Sequence, residues 1–265
     1  MNIGLIGGGN IGRFLLQSIN TNKLLVNSKI VGIYTRNQKS AQQLAAEFDT
    51  EVFDDIQSLL QSKIDLVIEA ATVEVVKEYA PIILASGKDL VLSSVGALCD
   101  LDFFQSLEKI CKSSGTKIHL PSGAIGGLDI LKAAKSNGEL ERVSIITRKP
   151  PQALPGAPLD GEHVLFEGSA RKAIALFPKN INVSIILSLA GLGPEKTEVT
   201  IISDPTVTKN SHSIEAVGSF GKLSLKVEND PMPNNPKTIE GIPARLLVIS
   251  LMNFLKNPSL LYSLI

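Results

Sequence analysis

Three glycines near the start of the chain stand at the spacing of a dinucleotide-binding turn. The segment Gly7–Gly12 follows the apolar run Ile3–Ile6, which predicts a strand, and leads into Ile11–Ile19, whose apolar residues recur at helical spacing. In such a turn the glycines permit the bend, the approach of a pyrophosphate and the packing of helix on strand. The free N–H groups of the helix N-terminus favour the phosphates. The residues predicted to contact NAD or NADP here are Gly7, Gly9, Asn10, Ile11 and Gly12.

Residues after the second and third predicted strands extend this cofactor site. An NAD-specific site expects an acidic residue after the second strand, to hold the adenosine 2′-OH, but this chain has Thr35 and Arg36 there. Arg36 could pair with a 2′-phosphate, with Thr35 hydrogen-bonding it, or could be a solvated loop cation. We therefore predict use of NADP, or of both NADP and NAD. After the third strand, Ala70 and Ala71 either admit the nicotinamide half of the cofactor or pack in the core.

These segments belong to a first half in which strands and helices alternate. Such alternation indicates a parallel sheet with right-handed crossovers, and hence a doubly wound α/β domain of the Rossmann type over residues 1–121. The predicted strands are Ile3–Ile6, Ile30–Tyr34, Leu66–Ala70, Leu90–Ser93 and Ile118–Leu120, and the predicted helices are Ile11–Ile19, Ser40–Phe48, Val73–Ser86 and Leu101–Cys111.

The pattern changes in the second half, where strands follow one another after a Pro/Gly-rich loop at Pro150–Pro158. Successive strands joined by short turns predict a mainly antiparallel sheet, and therefore an α+β catalytic and dimerisation domain over residues 122–238. The closing helix, at residues 239–265, is expected to pack back on the first domain. The predicted strands are Arg142–Thr147, Thr197–Ile202, His212–Val217 and Lys222–Val227, and the predicted helices are Gly168–Phe177, Val183–Leu189 and Thr238–Leu255.

The overall composition argues against several classes of partner. Lys+Arg and Asp+Glu both number 26, so no net charge attracts nucleic acid or an anionic membrane. No apolar run reaches the length of about 18 residues that a membrane span needs. The two cysteines, Cys99 and Cys111, do not have metal-ligand spacing, and no metal site is predicted. We expect reduced thiols in a cytoplasmic protein.

Several segments, in order along the chain, resemble the L-aspartate dehydrogenase family. Apart from the glycine turn, the matching segments are Ser94–Leu98, Ser122–Asp129, Thr147–Pro151, Leu165–Ala170, Phe177–Val183 and Asn210–Ile214. The resemblance implies oxidation of L-aspartate to iminoaspartate with reduction of NAD(P). The imine then hydrolyses to oxaloacetate and ammonia or feeds the biosynthesis of pyridine nucleotides. The resemblance also implies a homodimer, with Ala124 and Asn182 near the cofactor and His212 as the catalytic residue.

A histidine also suits this reaction on chemical grounds. Hydride can leave Cα of an amino acid only after the ammonium group has lost a proton, and imidazole titrates near neutral pH. Of the three histidines, His119 lies within the fifth predicted strand and suits packing, while His163 lies beside the Pro/Gly-rich loop. His212 begins a strand, and we expect its ring at a sheet edge that faces the cofactor domain.

A dicarboxylate substrate requires cations or hydrogen-bond donors. The planar guanidinium of Arg148 can hold a carboxylate through two hydrogen bonds, although Arg148 could equally form a surface ion pair. Lys149 and Ser122 are further candidates.

Two alternative functions remain open from the sequence. One is another amino-acid or semialdehyde-type dehydrogenase or reductase of the same architecture. The other is a non-catalytic NAD(P)-binding sensor, which keeps the glycine turn but does not need His212.

Overall fold

The computed structural model describes residues 1–177 and 181–229, which form two compact units. The first unit includes Met1–Pro121 and the second begins at Ser122. The predicted closing helix and the assignment of residues 239–265 to the first domain lie outside the described residues. Within the described part, no helix has the length and apolar character needed to cross a membrane.

The first unit is built on a six-stranded parallel sheet. Its strands lie in the order β3-β2-β1-β4-β5-β6, and every neighbouring pair is parallel. This order reverses direction between β1 and β4, which is where doubly wound sheets bind ligands. The strands are β1 (Asn2–Ile6), β2 (Lys29–Tyr34), β3 (Glu51–Val52), β4 (Leu66–Glu69), β5 (Asp89–Leu92) and β6 (Ile118–His119).

Five helices connect these strands, and capping side chains define several of their starts. Thr72 accepts a hydrogen bond from Val75 N at the start of α4, and Asp100 accepts one from Phe103 N at the start of α5. The helices are α1 (Asn10–Leu16), which continues as a π-helical turn at Gln17–Thr21, α2 (Gln38–Phe48), α3 (Ile56–Gln61), α4 (Val73–Ala85) and α5 (Leu101–Ser114). The predicted parallel α/β domain is confirmed; the short β3 and α3 were not predicted.

The second unit is built on a five-stranded sheet with the order β11-β10-β7-β9-β8. Three of its four strand pairs are antiparallel, while β7 and β9 run parallel. The predicted mainly antiparallel α+β domain is therefore confirmed. The strands are β7 (Leu140–Lys149), β8 (His163–Ser169), β9 (Thr197–Ser203), β10 (Asn210–Gly218) and β11 (Gly221–Asn229), and the helices are α6 (Leu128–Ser136), α7 (Ala170–Leu176) and α8 (Asn182–Ala190).

Two details of the second unit differ from the sequence prediction. The segment Gly168–Phe177 was predicted as one helix. Its first two residues instead end strand β8, and helix α7 begins only at Ala170. Ser169 caps this helix by accepting a hydrogen bond from Lys172 N, which explains the change at that point. In addition, β9 and β10 are not neighbours as their succession suggested, because β7 lies between them. Strand β10 therefore lies inside the sheet.

Candidate functional site

The glycine turn between β1 and α1 has the geometry of a phosphate-binding loop. Gly7 has φ +107°, and an added Cβ would lie 2.4 Å from Ala70 O. A Cβ on Gly12 would lie 2.2 Å from Gly7 O, so both positions require glycine for packing. At Gly9, by contrast, no described atom lies within 4 Å of the position that a Cβ would take. This open space, next to a first helical turn without acidic residues, fits a pyrophosphate.

This difference predicts opposite effects for two alanine variants. Gly9→Ala should leave the melting temperature nearly unchanged but weaken NAD(P) binding by about tenfold, because the methyl group occupies the space of the phosphates. Gly12→Ala should lower the melting temperature, since its methyl group overlaps Gly7 O. Thermal unfolding and calorimetric titration measure the two effects. Unchanged affinity in Gly9→Ala would contradict the assignment of this loop.

The end of β2 places Arg36 beside an acidic residue that the sequence analysis did not consider. Arg36 Nη2 donates to Glu78 Oε2 on α4 at 3.2 Å, and both side chains are exposed. Next to this pair, the hydroxyl groups of Tyr34 and Tyr79 lie 3.0 Å apart. The Arg36 guanidinium is thus available at the surface, but Glu78 competes with any 2′-phosphate for it.

The carboxyl end of β4 brings Ala70 and Ala71 together with Glu69. Ala70 N donates to Ile6 O of β1, one residue past the end of β4, and Ala71 N donates to Glu69 Oε1 at 2.7 Å. Glu69 is only 1% exposed, and sequence reasoning treated it merely as part of an apolar strand. A single acid at the end of the run Leu66-Val67-Ile68 was the signal that could have revealed it.

His212 lies on the buried face of the second unit's sheet. It pairs in register with Thr147 of β7 on one side and with Val227 of β11 on the other. Its Nδ1 lies 3.0 Å from Thr147 Oγ1, and the residue is 4% exposed. The expectation of a ring at a sheet edge was therefore wrong, because β10 has neighbours on both sides. Thr147 was not predicted as a site residue.

Lys149 lies two residues beyond Thr147 on the same face of β7. It is 8% exposed and pairs in register with Ser203 of β9, whose hydroxyl is buried and has no partner among the described residues. Burial lowers the pKa of Lys149 to about 8. Burial, and then the charge of Lys149, lower the pKa of His212 to about 3. The imidazole is therefore neutral at neutral pH, and it does not titrate there as the sequence led us to expect.

Arg148 points to the opposite face of β7 and is already engaged by carboxylates. Its Nη1 donates to Asp204 Oδ2 at 2.6 Å and also contacts Glu162. The carboxylates of Glu162 and Asp204 keep the pKa of Arg148 above its usual value. This geometry favours the ion-pair interpretation of Arg148 over direct substrate binding.

The remaining predicted residues of the second unit occupy separate places. Ser122 is half-buried, whereas Ala124 is buried and its carbonyl accepts from Asn229 Nδ2 at 3.3 Å. Asn182 is the first residue of α8, and its Oδ1 is buried without a partner in the described chain. Such an amide oxygen can accept a hydrogen bond from a ligand.

The other two histidines have carboxylate partners. His119 Nε2 lies 2.9 Å from Asp89 Oδ2 in the first unit, and His163 Nε2 lies 2.9 Å from Asp160 Oδ1 in the second. Among residues 1–177 and 181–229 there is no group of three or more potential metal ligands.

Two family models match the chain one after the other. A model described as the NAD-binding domain of homoserine dehydrogenase matches residues 7–121. A model described as the C-terminal domain of aspartate dehydrogenase matches residues 129–253. The first half therefore carries an NAD-binding domain, and the second half carries the specific family signal.

Curated L-aspartate dehydrogenases align with almost the whole chain. The protein from Nitrosopumilus maritimus is 38% identical over 96% of this chain and 95% of its own length. The protein from Methanocaldococcus jannaschii is 40% identical over 90% of this chain and 91% of its own. The chain belongs to the L-aspartate dehydrogenase family. The predicted family, and with it an NAD(P)-dependent oxidoreductase, is confirmed.

Solved structures agree with membership of the L-aspartate dehydrogenase family. The crystal structure of aspartate dehydrogenase from Thermotoga maritima is 32% identical, with a TM-score of 0.78 over 98% of this chain and 97% of its own. Scyllo-inositol dehydrogenase from Lactobacillus casei has a TM-score of 0.62 at 14% identity, over 97% of this chain and 87% of its own, which shows a shared fold alone.

Proposed function

We propose that this L-aspartate dehydrogenase family member oxidises L-aspartate to iminoaspartate, which water then hydrolyses to oxaloacetate and ammonia. The observation that carries this proposal is a buried, neutral imidazole at His212, hydrogen-bonded by Thr147 and lying on the same sheet face as the cation Lys149. A base and a buried cation are what a negatively charged amino acid requires for oxidation.

His212 would first accept a proton from the substrate ammonium group. Thr147 engages Nδ1, which leaves Nε2 as the nitrogen that exchanges the proton. The nicotinamide coenzyme, when bound, accepts the hydride that leaves Cα. The protonated imidazole can then return its proton as water adds to the imine and ammonia departs.

Lys149 would hold one substrate carboxylate. A carboxylate beside Lys149 offsets the charge that helps to lower the pKa of His212, and its own negative charge stabilises the imidazolium. Substrate binding would therefore raise the pKa of His212 and make it a stronger base when the substrate is present.

A panel of amino acids and 2-oxo acids with ammonia, each assayed with NAD and NADP by nicotinamide absorbance, tests the function. We expect turnover with L-aspartate and, in reverse, with oxaloacetate plus ammonia. Preference for another amino acid or a semialdehyde would favour the alternative dehydrogenase. Coenzyme binding without any turnover would favour the non-catalytic sensor, an alternative that rests on the glycine turn alone.

The balance between NADP and NAD should depend on Arg36 and Glu78. Arg36→Ala should raise the KM for NADP about tenfold or more and change that for NAD little, because one charge-assisted contact contributes about 1.5–3 kcal/mol. Glu78→Gln should do the reverse and lower the KM for NADP, since it releases the guanidinium. Steady-state kinetics with both coenzymes measure this. Equal changes for NAD and NADP in Arg36→Ala would exclude a 2′-phosphate site at this position.

We also propose that the enzyme is a cytoplasmic homodimer. The second unit supports dimerisation because apolar side chains such as Ile146 and Val164 are 43% and 58% exposed on its sheet strands. Sedimentation velocity tests the oligomeric state directly.

A further inference from the structure

Glu69 occupies a position in the first unit that the reaction outlined above does not use. It is the last residue of β4, at the carboxyl end of the sheet and directly beside the point where the strand order reverses. Its side chain is almost completely buried. An acid in such a place needs compensation, because burial of a carboxylate without partners is strongly unfavourable.

The compensation comes from four donors in two loops. Oε1 accepts from Ala71 N at 2.7 Å and from Ser94 Oγ at 2.8 Å. Oε2 accepts from Ser94 N at 2.9 Å and from Ser93 N at 3.2 Å. One carboxylate therefore holds together the segment that follows β4 and the segment that follows β5.

The pattern of donors around Glu69 favours an ionised carboxylate. Burial raises the pKa of Glu69, whereas the hydrogen bonds from Ser94, Ala71 and Ser93 oppose this shift. Three of the four donors are backbone N–H groups, which cannot become acceptors. A glutamine amide would direct an N–H donor at one of these backbone groups. A protonated carboxyl would have to direct its proton at Ser94 Oγ, the one partner that can accept, so the three backbone donors favour the anion.

We propose that Glu69 is a positioning residue that fixes both loops and that its buried charge makes this end of the sheet prefer oxidised over reduced nicotinamide coenzyme. The proposal rests on the NAD(P)-binding function proposed above, with the nicotinamide half lying near Ala70 and Ala71. The oxidised ring is a cation and the reduced ring is neutral. A nearby buried anion therefore stabilises the oxidised form selectively, because its charge is poorly screened.

A merely structural role for Glu69 predicts a different result from an electrostatic one. Loosened loops would weaken the binding of the oxidised and the reduced coenzyme by the same factor. Loss of the charge would change the ratio of the two dissociation constants. The informative quantity is therefore the ratio of Kd for the reduced coenzyme to Kd for the oxidised coenzyme, and it can be measured without any turnover of aspartate.

Calorimetric titration of Glu69→Gln and of the parent with both coenzyme forms tests the proposal. We expect the ratio to fall by about tenfold in Glu69→Gln, as for the loss of one nearby unit charge. The matched control is Ser94→Ala, which removes the hydroxyl donor to Glu69 Oε1 but keeps the charge. Ser94→Ala should weaken the binding of both coenzyme forms alike and leave the ratio of their dissociation constants unchanged. An unchanged ratio in a folded Glu69→Gln variant would overturn the proposal.

A second measurement needs no variant and applies even if Glu69→Gln does not fold. Benzamide adenine dinucleotide has a planar, neutral ring in place of the pyridinium cation. The parent protein should bind the oxidised coenzyme about tenfold more tightly than this analogue. Equal affinities would reject the role of the charge while leaving the proposed dehydrogenase function intact. Failure of the parent to bind any of these dinucleotides would overturn both.

Discussion

Replacement of His212 by asparagine should lower kcat with L-aspartate by about 10²–10⁴-fold, the range typical of a lost general acid–base group. Asparagine can still hydrogen-bond Thr147 across the β10–β7 pair, so the change removes the proton acceptor with little disturbance of the sheet. NAD(P) binding, measured by calorimetry, should remain at the parental level. Loss of turnover with retained coenzyme binding separates a catalytic role from unfolding.

The matched control is His163→Asn in the same unit. His163 is partly exposed and bonds to Asp160, so its replacement should leave kcat and KM essentially unchanged. If His212→Asn retains parental kcat while the parent oxidises aspartate, another group must accept the proton. The function would then stand and the assignment of His212 would not.

The buried state of His212 also predicts how stability depends on pH. Its pKa is about 3 in the folded protein and 6.5 in its unperturbed state, so between these values the unfolded chain binds a proton that the folded chain does not. Stability should therefore decline as the pH falls from about 6.5 towards 3. Denaturant unfolding at several pH values should show a smaller decline in His212→Asn than in the parent.

The first unit could be predicted from the sequence because its signals are local. Each of its first four predicted strands, such as Ile3–Ile6 or Leu90–Ser93, is a short apolar run followed by a predicted helix, and parallel order follows from that alternation. The glycine turn was recognised for the same reason. The segment β3–α3 was missed because two strand residues and six helical residues are too few to establish a period.

The second unit was harder to predict because its pairing is not local. The chain places β9 before β10, but β7 separates them in the sheet, and only long-range packing decides this order. The register that brings Thr147 opposite His212 depends on that order. The sequence therefore indicated His212, through the family resemblance, but neither its hydrogen-bond partner nor its position inside the sheet.

Buried polar residues were a further limit of sequence reasoning. Glu69 and Thr147 each lie at a buried position of a strand. In the sequence, a polar residue at such a position only interrupts the apolar pattern and does not indicate a role. Their roles emerge only from partners such as Ser94, which lies 25 residues from Glu69 along the chain. Arg148 illustrates the converse case, since this candidate for substrate binding proved to be bound by Glu162 and Asp204.

Lys149→Met should stabilise the fold and at the same time raise the KM for aspartate. Burial lowers the pKa of Lys149 from 10.5 to about 8, so at neutral pH the folded state carries an ammonium group whose burial costs about 3 kcal/mol. Methionine has a similar length and no charge. We expect the melting temperature to rise by roughly 5–10 °C. We expect the KM for aspartate to rise by about 100-fold, because a substrate carboxylate loses its buried partner.

The stability effect of Lys149→Met should depend on pH. Lys149 is protonated in both the folded and the unfolded parent below pH 8, and in neither above pH 10.5. The extra stability of Lys149→Met over the parent should therefore disappear as the pH rises from 8 to 10.5. The matched control is Lys132→Met on α6, because burial also lowers the pKa of Lys132 to about 8. That variant should leave the KM for aspartate unchanged. A lower melting temperature together with a parental KM in Lys149→Met would show that this lysine supports the fold and does not hold the substrate.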